Sequence, residues 1–500
     1  MGWAWNLARG AWGASHAVSQ ASTQAVQSIS QAATLHRASR IAATGVLAPG
    51  DPTPPGHGPT DFYDYRGVAT RRELGDLDGD FSIGRYLDVR RGVRDEIALP
   101  FSVLQRHAAV LGPTGSGKTK SILVPWTAAA LRAGHSVVAV DIAGDFLEDL
   151  ALHRQATGPL NAAVARWDYS DPATSINWNW LGDLQDDSAV NAAVEAILGR
   201  TTPNDPQPFF HQRDLRLLRA LIELSLASGH AVTGADLLRT VRSETSMISL
   251  VAGNTGHPAA QRIPDFLSQA TTGRYHEMVS GVINALELWD SPGLIAVTSR
   301  HELKIDDVLL RPSLLVVGAP LHGGRTSEVA SSLMLSQIIN RLYRRFASAA
   351  GKHVFLMIDE AGRLTERLRF EELLSVARRA RVTVVLATQD VGQFKEESER
   401  MAILANCATY ISLPSRSSAN TKYLASRLGQ RPQSTLTVSR SPVTQFGSSG
   451  YATSAAIASV PVLGDREMSD PPWGERSAVV HCPVVCGKPF LVELSRPEFQ

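Results

Sequence analysis

Gly112-Pro113-Thr114-Gly115-Ser116-Gly117-Lys118-Thr119 is the stretch that decides the fold. It satisfies G-x-x-x-x-G-K-[ST] in full. Glycine enters positive φ without steric cost, so Gly112, Gly115 and Gly117 let successive backbone N–H groups turn inward around an anion. A helix that follows adds the partial positive charge of its N-terminus. Lys118 is then placed to reach the β- and γ-phosphates of ATP, and the Thr119 hydroxyl to ligate Mg²⁺. Gly112, Pro113, Thr114, Gly115, Ser116, Gly117, Lys118 and Thr119 are therefore read together as a P-loop that binds ATP with Mg²⁺ as cofactor.

The flanks agree. Ala108-Ala109-Val110-Leu111 is a short apolar run ending at Gly112, and residues 122–133 have helical spacing, with Pro125 in the first turns. Further apolar runs follow at 136–140, ending at Asp141, and at 314–317. Another at 354–358 ends in Asp359-Glu360, one at 382–387 ends in Thr388-Gln389, and a sixth spans 410–413. Nearly continuous apolar runs of this length mark strands covered on both faces. Segments 327–346, 367–381 and 419–428 separate most of them at helical spacing. This alternation predicts an α/β fold, a RecA-like doubly wound, mostly parallel sheet. Residues 81–100 read as small strands leading into it.

About 170 residues separate the second run from the third. Segments 191–198, 213–227, 235–242 and 275–288 have helical spacing and strand-like runs are scarce, so 182–298 is expected to be an inserted all-α domain. The expected division is 1–60 tail and linker, 61–181 first part of the nucleotide-binding domain, 182–298 helical insertion, and 299–500 second part.

Asp359 and Glu360 close a run of five apolar residues. At the carboxyl edge of a parallel sheet Asp359 holds Mg²⁺ through water and Glu360 polarises the attacking water. Gln389 ends the next strand at the same edge, where it meets the γ-phosphate or the water. Arg378, Arg379 and Arg381 end the helix before that strand. The helix dipole alone favours bases there, and the sharper reading makes Arg378 an arginine finger supplied to a neighbouring subunit's ATP.

Charge and composition narrow the class. Net charge is +1, so a DNA partner must be met by a local basic surface. Three cysteines, Cys407, Cys482 and Cys486, point to a reducing compartment, and Val484-Val485 give the last pair the look of a strand rather than of a metal site. No apolar stretch reaches membrane-spanning length. The first 50 residues contain Arg9, Arg37 and Arg40 without any acid, and Trp5, Ala8 and Trp12 share a helical face. This start is read as a partly helical Ser/Gln/Ala-rich tail, joined by a Pro/Gly linker over 48–60.

From these residues on, the chain resembles the VirD4/TraG/TraD type IV coupling proteins, of the FtsK–HerA class of ring-forming DNA motors, over roughly residues 100–500. The P-loop opening in Gly-Pro-Thr-Gly-Ser-Gly-Lys-Thr before a Pro-containing helix carries the resemblance. Asp141-Ile142-Ala143-Gly144-Asp145 resembles the family's D-x-K-G-E element, with Ala143 for Lys and Asp145 for Glu. Ser175-Ile176-Asn177-Trp178-Asn179-Trp180-Leu181 stands where the family has N-P-L, without the Pro. Asp359-Glu360-Ala361, Arg378, Gln389 with Gln393, Asn406 and Leu428-Gly429 match further elements.

The resemblance implies an ATP-driven DNA translocase, a homo-hexamer that delivers DNA, a relaxase or other secretion substrates to a secretion channel. It implies a cytoplasmic position, recruited to the inner face of the membrane. The family's pair of N-terminal membrane helices is not seen here. Either a membrane partner protein docks a soluble variant, or the Trp-containing start supplies the contact. Arg341, Arg344, Arg345, Arg367 and Arg369 are pore or interface candidates, and Gln433 to Ala458 is read as a mobile pore or surface loop. The alternatives are a VirB4- or HerA-like ATPase working on proteins or DNA ends, and a nucleotide-gated binding platform.

Overall fold

The computed structural model describes residues 67–88, 92–201, 207–268, 274–345, 352–394, 396–440, 451–471, 473–474 and 476–495. The Trp5–Trp12 segment and the 48–60 linker lie outside the described residues. The chain divides into two compact units, Thr70–Asn420 with the C-terminal strands, and Thr421–Gly474 with the residues before Thr70.

The strands of the first unit are β1 (Phe81–Asp88), β2 (Gly92–Leu99), β3 (Ala108–Leu111), β4 (Ser136–Asp141), β5 (Ala163–Trp167), β6 (Ser313–Gly318), β7 (Val354–Ile358), β8 (Val382–Thr388) and β9 (Thr409–Ser412). The second unit supplies β10 (Gln430–Arg440) and β11 (Tyr451–Pro461). The chain then returns to the first for β12 (Ser477–His481) and β13 (Phe490–Glu493). Eleven of them form one sheet in the order β2-β1-β13-β12-β9-β3-β8-β7-β4-β6-β5. From β9 to β5 every neighbour is parallel. The four strands at the other end pair antiparallel.

Every residue of β3, β4, β6, β7, β8 and β9 is buried. Only a sheet covered on both faces buries consecutive side chains. The runs called from apolar composition are these strands, within a residue or two. β5 escaped that reading. It is an edge strand, half exposed, and Ala163-Val164-Ala165-Arg166-Trp167 lacks the apolar continuity that marks the others.

Between β5 and β6 the described chain forms helices only, among them Asp187–Leu198, Pro208–Ala227, Gly234–Arg242, Glu244–Gly253 and Tyr275–Leu286. Their apolar faces join the core that covers the sheet, with Trp178, Trp180 and Trp289 fully buried. The helix Gly324–Arg344 packs on Asp187–Leu198, where Gln337 Nε2 donates to the Ala189 carbonyl at 3.1 Å.

The candidate pore arginines turn out to be ties within this unit. Arg341 is buried and pairs with Asp183 at 2.8 Å and with Asp306. Arg345 donates to the carbonyls of Leu309 and Lys352, and Arg344 meets Asp186 at 2.7 Å. Arg367 caps the helix Asp187–Leu198 by donating to the Ala196 and Ile197 carbonyls, and Arg369 joins Glu195 to Glu372. A guanidinium committed to carbonyls or a buried carboxylate is costly to free, so Arg341, Arg345 and Arg367 are not disposed to face a channel, whereas Arg344 and Arg369 keep only exposed ion pairs.

Three other expectations change. The helix expected over 367–381 is short, Phe370–Val376, and the chain turns through Arg381 at φ 58 into β8. Val484-Val485 is a turn, closed by Val485 and Cys486 N–H groups on the Cys482 carbonyl. The stretch expected as a loop over 433–458 contains two paired antiparallel strands, β10 and β11, and residues 441–450 lie outside the described residues.

Near the amino ends of β7 and β8, the Phe101 ring stacks on His135 at 4.7 Å and meets His353 edge-on at 4.8 Å, and His107 Nδ1 accepts from Val384 N–H at 3.1 Å. Burial pushes His107 down to about 4, with Arg378 adding repulsion, and His353 down to about 3. The neutral imidazoles are thus built into the fold. Below about pH 6.5 the unfolded chain takes up protons that the folded chain refuses until about pH 4. Stability therefore falls across that window. For the two residues the loss at pH 5 is about 4 kcal/mol. Thermal melts should be flat from pH 8 to 7 and fall steadily below 6.5, and a His107→Gln, His353→Gln variant should lose much of that slope.

Candidate nucleotide site

The P-loop leaves β3 at Leu111 and is fixed from both sides. Gly112 N–H donates to the Thr388 carbonyl at the end of β8, and Leu413 N–H, just past β9, donates to the Leu111 carbonyl. Gly115 at φ 74 and Gly117 at φ 94 take the left-handed backbone that the motif reserves for glycine. Lys118 Nζ donates to the carbonyls of Gly112 at 2.6 Å and Pro113 at 3.1 Å, folding the lysine over its own loop. Val124 N–H donates to the Thr119 carbonyl, a five-residue step that makes one π turn over Thr119–Leu123. The regular helix, Val124–Arg132, starts only there. Pro125 has no N–H to continue the ladder from Ser121, and the wider turn absorbs that loss.

β7 delivers the carboxylates two strands away. Asp359 Oδ2 accepts from Thr119 Oγ1 at 2.9 Å, and Glu360 Oε1 lies 3.9 Å from Lys118 Nζ. Glu360 is buried and holds a left-handed backbone, φ 50 and ψ 47. A non-glycine residue pays strain for that conformation, of the order of 1 kcal/mol or more, and such residues cluster at working sites. The kink turns the chain sharply after β7. Burial pushes the Glu360 and Asp359 carboxyls up and the Lys118 amine down, and their mutual attraction opposes both shifts.

β8 brings the glutamines. Gln389 and Gln393 both hydrogen-bond the Glu360 carboxyl, Gln393 Nε2 at 3.4 Å. Gln393 also accepts from Thr388 Oγ1. Gly362 permits this approach, since a Cβ there would lie 2.5 Å from the Gln393 Cβ.

One residue of this edge was not foreseen. Asn420 is buried. Its Nδ2 donates to the Gln389 carbonyl at 2.7 Å and its Oδ1 accepts from Val391 N–H at 2.8 Å, so a single amide fixes the loop that carries Gln389. No spacing rule links positions 389 and 420, and only the fold reveals the contact.

The Asp141–Asp145 turn lies beside β4. Asp141 accepts from Gly144 and Phe146 N–H groups, and Lys120, next but one to Lys118, reaches Asp149 at 2.9 Å and Asp145 at 3.9 Å. A lysine therefore stands at this turn although position 143 is Ala. Trp178 and Trp180 of the 175–181 segment are core, and Asn179 caps the turn that follows. Asn406 ends the helix Glu397–Asn406 by donating to the Ala402 carbonyl, and Gly429 at φ 78 ends Ser418–Leu428.

Arg378 is not brought to this edge. It is exposed, two residues past the helix Phe370–Val376, at the amino end of β8 where its charge reaches His107. β8 runs roughly 20 Å from there to Thr388, beside the P-loop. An arginine side chain does not span that distance, so Arg378 has no access to the P-loop of its own chain.

The residues present fit a magnesium nucleotide. Thr119 and Asp359 offer hard oxygen donors, Ser116 Oγ is buried without a hydrogen-bond partner, and Lys118 is a buried cation held over the loop. None of the curated proteins matches the chain. Solved structures share the fold. The plasmid coupling protein TrwB in complex with ADP and Mg²⁺ is 16% identical, with a TM-score of 0.62, over 87% of this chain and 94% of that one. The trigonal form of TrwBΔN70 with sulphate is also 16% identical, with a TM-score of 0.60, over 84% and 96%. VirB4 of Thermoanaerobacter pseudethanolicus reaches only 0.45 at 12% identity over 84% and 97%. Residues 59–458 match the family described as type IV secretory system conjugative DNA transfer. The chain therefore belongs to that family, the type IV coupling proteins.

Proposed function

We propose that this chain is a P-loop ATPase that drives DNA toward a type IV secretion channel. The observation that carries the reading is the meeting of Lys118, Thr119, Asp359 and Glu360 within hydrogen-bond or ion-pair reach at one sheet edge, in a member of the conjugative DNA transfer family.

TrwB has been solved with ADP and Mg²⁺ and with ATP and GTP analogues that are not hydrolysed. Here the Gly112–Thr119 amides and Lys118 hold the phosphates, and Thr119 and Asp359 hold the metal. Bound Mg²⁺ supplies charge neutralisation to the phosphate oxygens. Glu360 takes the proton of the attacking water. Its burial makes it a stronger base than an exposed glutamate, and Gln389 and Gln393 fix its carboxyl from the β8 side. Lys118 trades the Gly112 and Pro113 carbonyls for phosphate oxygens.

The exposed Arg378, out of reach of its own P-loop, completes the site of a neighbouring copy, which makes a ring the active form. The same reading assigns the motor six copies, a DNA substrate held without reading of bases, a relaxase among the cargo and recruitment to the membrane, and membership of a conjugative DNA transfer family supports it. Residues 182–298 serve as the substrate-facing helical domain. No helix among the described residues is long and apolar enough to cross a membrane. The reading assigns the channel to a partner protein.

Steady-state ATP turnover with and without single- and double-stranded DNA tests the reading. Turnover should rise several-fold with DNA and vanish in Lys118→Ala. Robust turnover indifferent to DNA would move the assignment to a pump of proteins.

A further inference from the structure

The helix Pro208–Ala227 begins outside the core. Gln207, Pro208, Phe209 and Phe210 are exposed, and inward packing starts at Asp214 and Leu217. Pro208 sets the backbone of the first turn without losing a hydrogen bond, since its N–H would have no partner there. That turn lifts two adjacent rings into water, Phe209 74% and Phe210 49% exposed. No other Phe, Tyr or Trp is exposed among the described side chains.

The rings are supported from the core outward. They meet edge to face, with centroids 5.6 Å apart at 82°. The Arg213 guanidinium lies over the Phe210 ring, 5.2 Å from its centroid. Its Nε and one Nη donate to Asp214 Oδ1 at 3.0 and 2.9 Å. Asp214 is buried and sits hard against the helix Tyr275–Leu286, where a Cβ at Gly281 would lie 1.7 Å from its Oδ2. A buried carboxylate thus fixes a guanidinium, the guanidinium covers one face of Phe210, and Phe210 orients Phe209. A ring held in advance loses little freedom when a ligand lands on it. Arg216 stands seven positions after Phe209, on the same helical face and about 10 Å along the axis. It is exposed and meets no carboxylate among the described residues.

This arrangement selects its occupant. A protein hot spot is an anchor ringed by further contacts that exclude water. Here the neighbours are Gln207, Gln212, Arg213 and Arg216, all polar. One open ring matches a nucleobase, whose stacking on an aromatic face is indifferent to sequence, and an exposed arginine beyond it suits a phosphate. In a duplex the bases already stack on one another, so an open ring favours unpaired strands. We propose that Phe209, supported by Phe210 and Arg213 and flanked by Arg216, is a stacking platform for the bases of single-stranded nucleic acid. The proposal rests on DNA being the cargo of the motor.

The test uses the full chain and a mixed-sequence single strand carrying 2-aminopurine, whose fluorescence is quenched by stacking, beside a duplex of the same sequence and an abasic strand. Phe209→Ala should weaken binding of the single strand roughly 5- to 150-fold, the range of one stacked base, and lose part of the quench. F209L should behave as F209A, and F209W should bind as wild type or better. R216Q should lower the slope of log K against log salt by about 0.7, the share of one phosphate on a single strand. The duplex and the abasic strand should not distinguish F209A from wild type, and ATP turnover without DNA should be the same in all variants. Wild-type affinity for the single strand in F209A or F209L would overturn the proposal while leaving the motor reading intact, the second result marking an apolar contact for protein. Equal loss on the abasic strand would also overturn it. Wild type that binds neither single strand nor duplex would remove the motor reading itself.

Discussion

Glu360→Gln should slow ATP turnover by about 10²–10⁴-fold and leave ATP binding nearly unchanged. The substitution keeps the size and the hydrogen-bonding shape of the side chain. It removes the charge and the ability to accept a proton, and keeps one oxygen to accept from Gln393. The left-handed backbone at 360 and the contacts from Gln389 and Gln393 do not depend on the charge, so the site should stay formed. Removing a buried carboxylate 3.9 Å from Lys118 also leaves the lysine with Asp359 as its nearest anion, which limits the effect on nucleotide affinity. A rapid-quench measurement of one turnover, together with nucleotide titration, separates the two quantities. A variant that binds poorly but turns over what it binds at the wild-type rate would show that Glu360 is structural.

Arg378→Ala should cost 10³–10⁵-fold in turnover, the range of a finger supplied in trans, without touching affinity for the nucleotide. The reason is positional. Arg378 is exposed at the amino end of β8, a strand-length from the P-loop that this same strand abuts at Thr388. If it acts on ATP at all, it acts on the next subunit's. Mixing Arg378→Ala with Lys118→Ala then restores turnover, since some interfaces pair an intact P-loop with an intact arginine. Two inactive variants that stay inactive when mixed, under conditions where wild type assembles, would remove Arg378 from the mechanism.

The parallel core could be read from the sequence because its strands are buried on both faces and so write uninterrupted apolar runs. β3, β4, β6, β7, β8 and β9 all do. β5 does not, since an edge strand has only one neighbour and keeps half its residues in water. The P-loop and the Asp359-Glu360 pair were legible for another reason: their chemistry depends on contiguous residue types. The contacts that organise them were not. Asn420 holds Gln389 from 31 positions away, and Arg341 and Arg345, which read as a basic helix face, are buried against Asp183 and backbone carbonyls. Tertiary pairing of this kind leaves no periodicity to read. The β10–β11 pair was missed because its Ser/Thr-rich strands lack the apolar alternation that signals a strand packed on a core.

Equilibrium titration of purified protein with ATP, with and without Mg²⁺, tests the central claim most directly. Wild type should bind, more tightly with the metal. Lys118→Ala should lose that binding, and Asp359→Asn should keep ATP binding but lose its dependence on Mg²⁺. Protein that takes up no ATP, or whose Lys118→Ala variant binds as tightly as wild type, would contradict the account at its root.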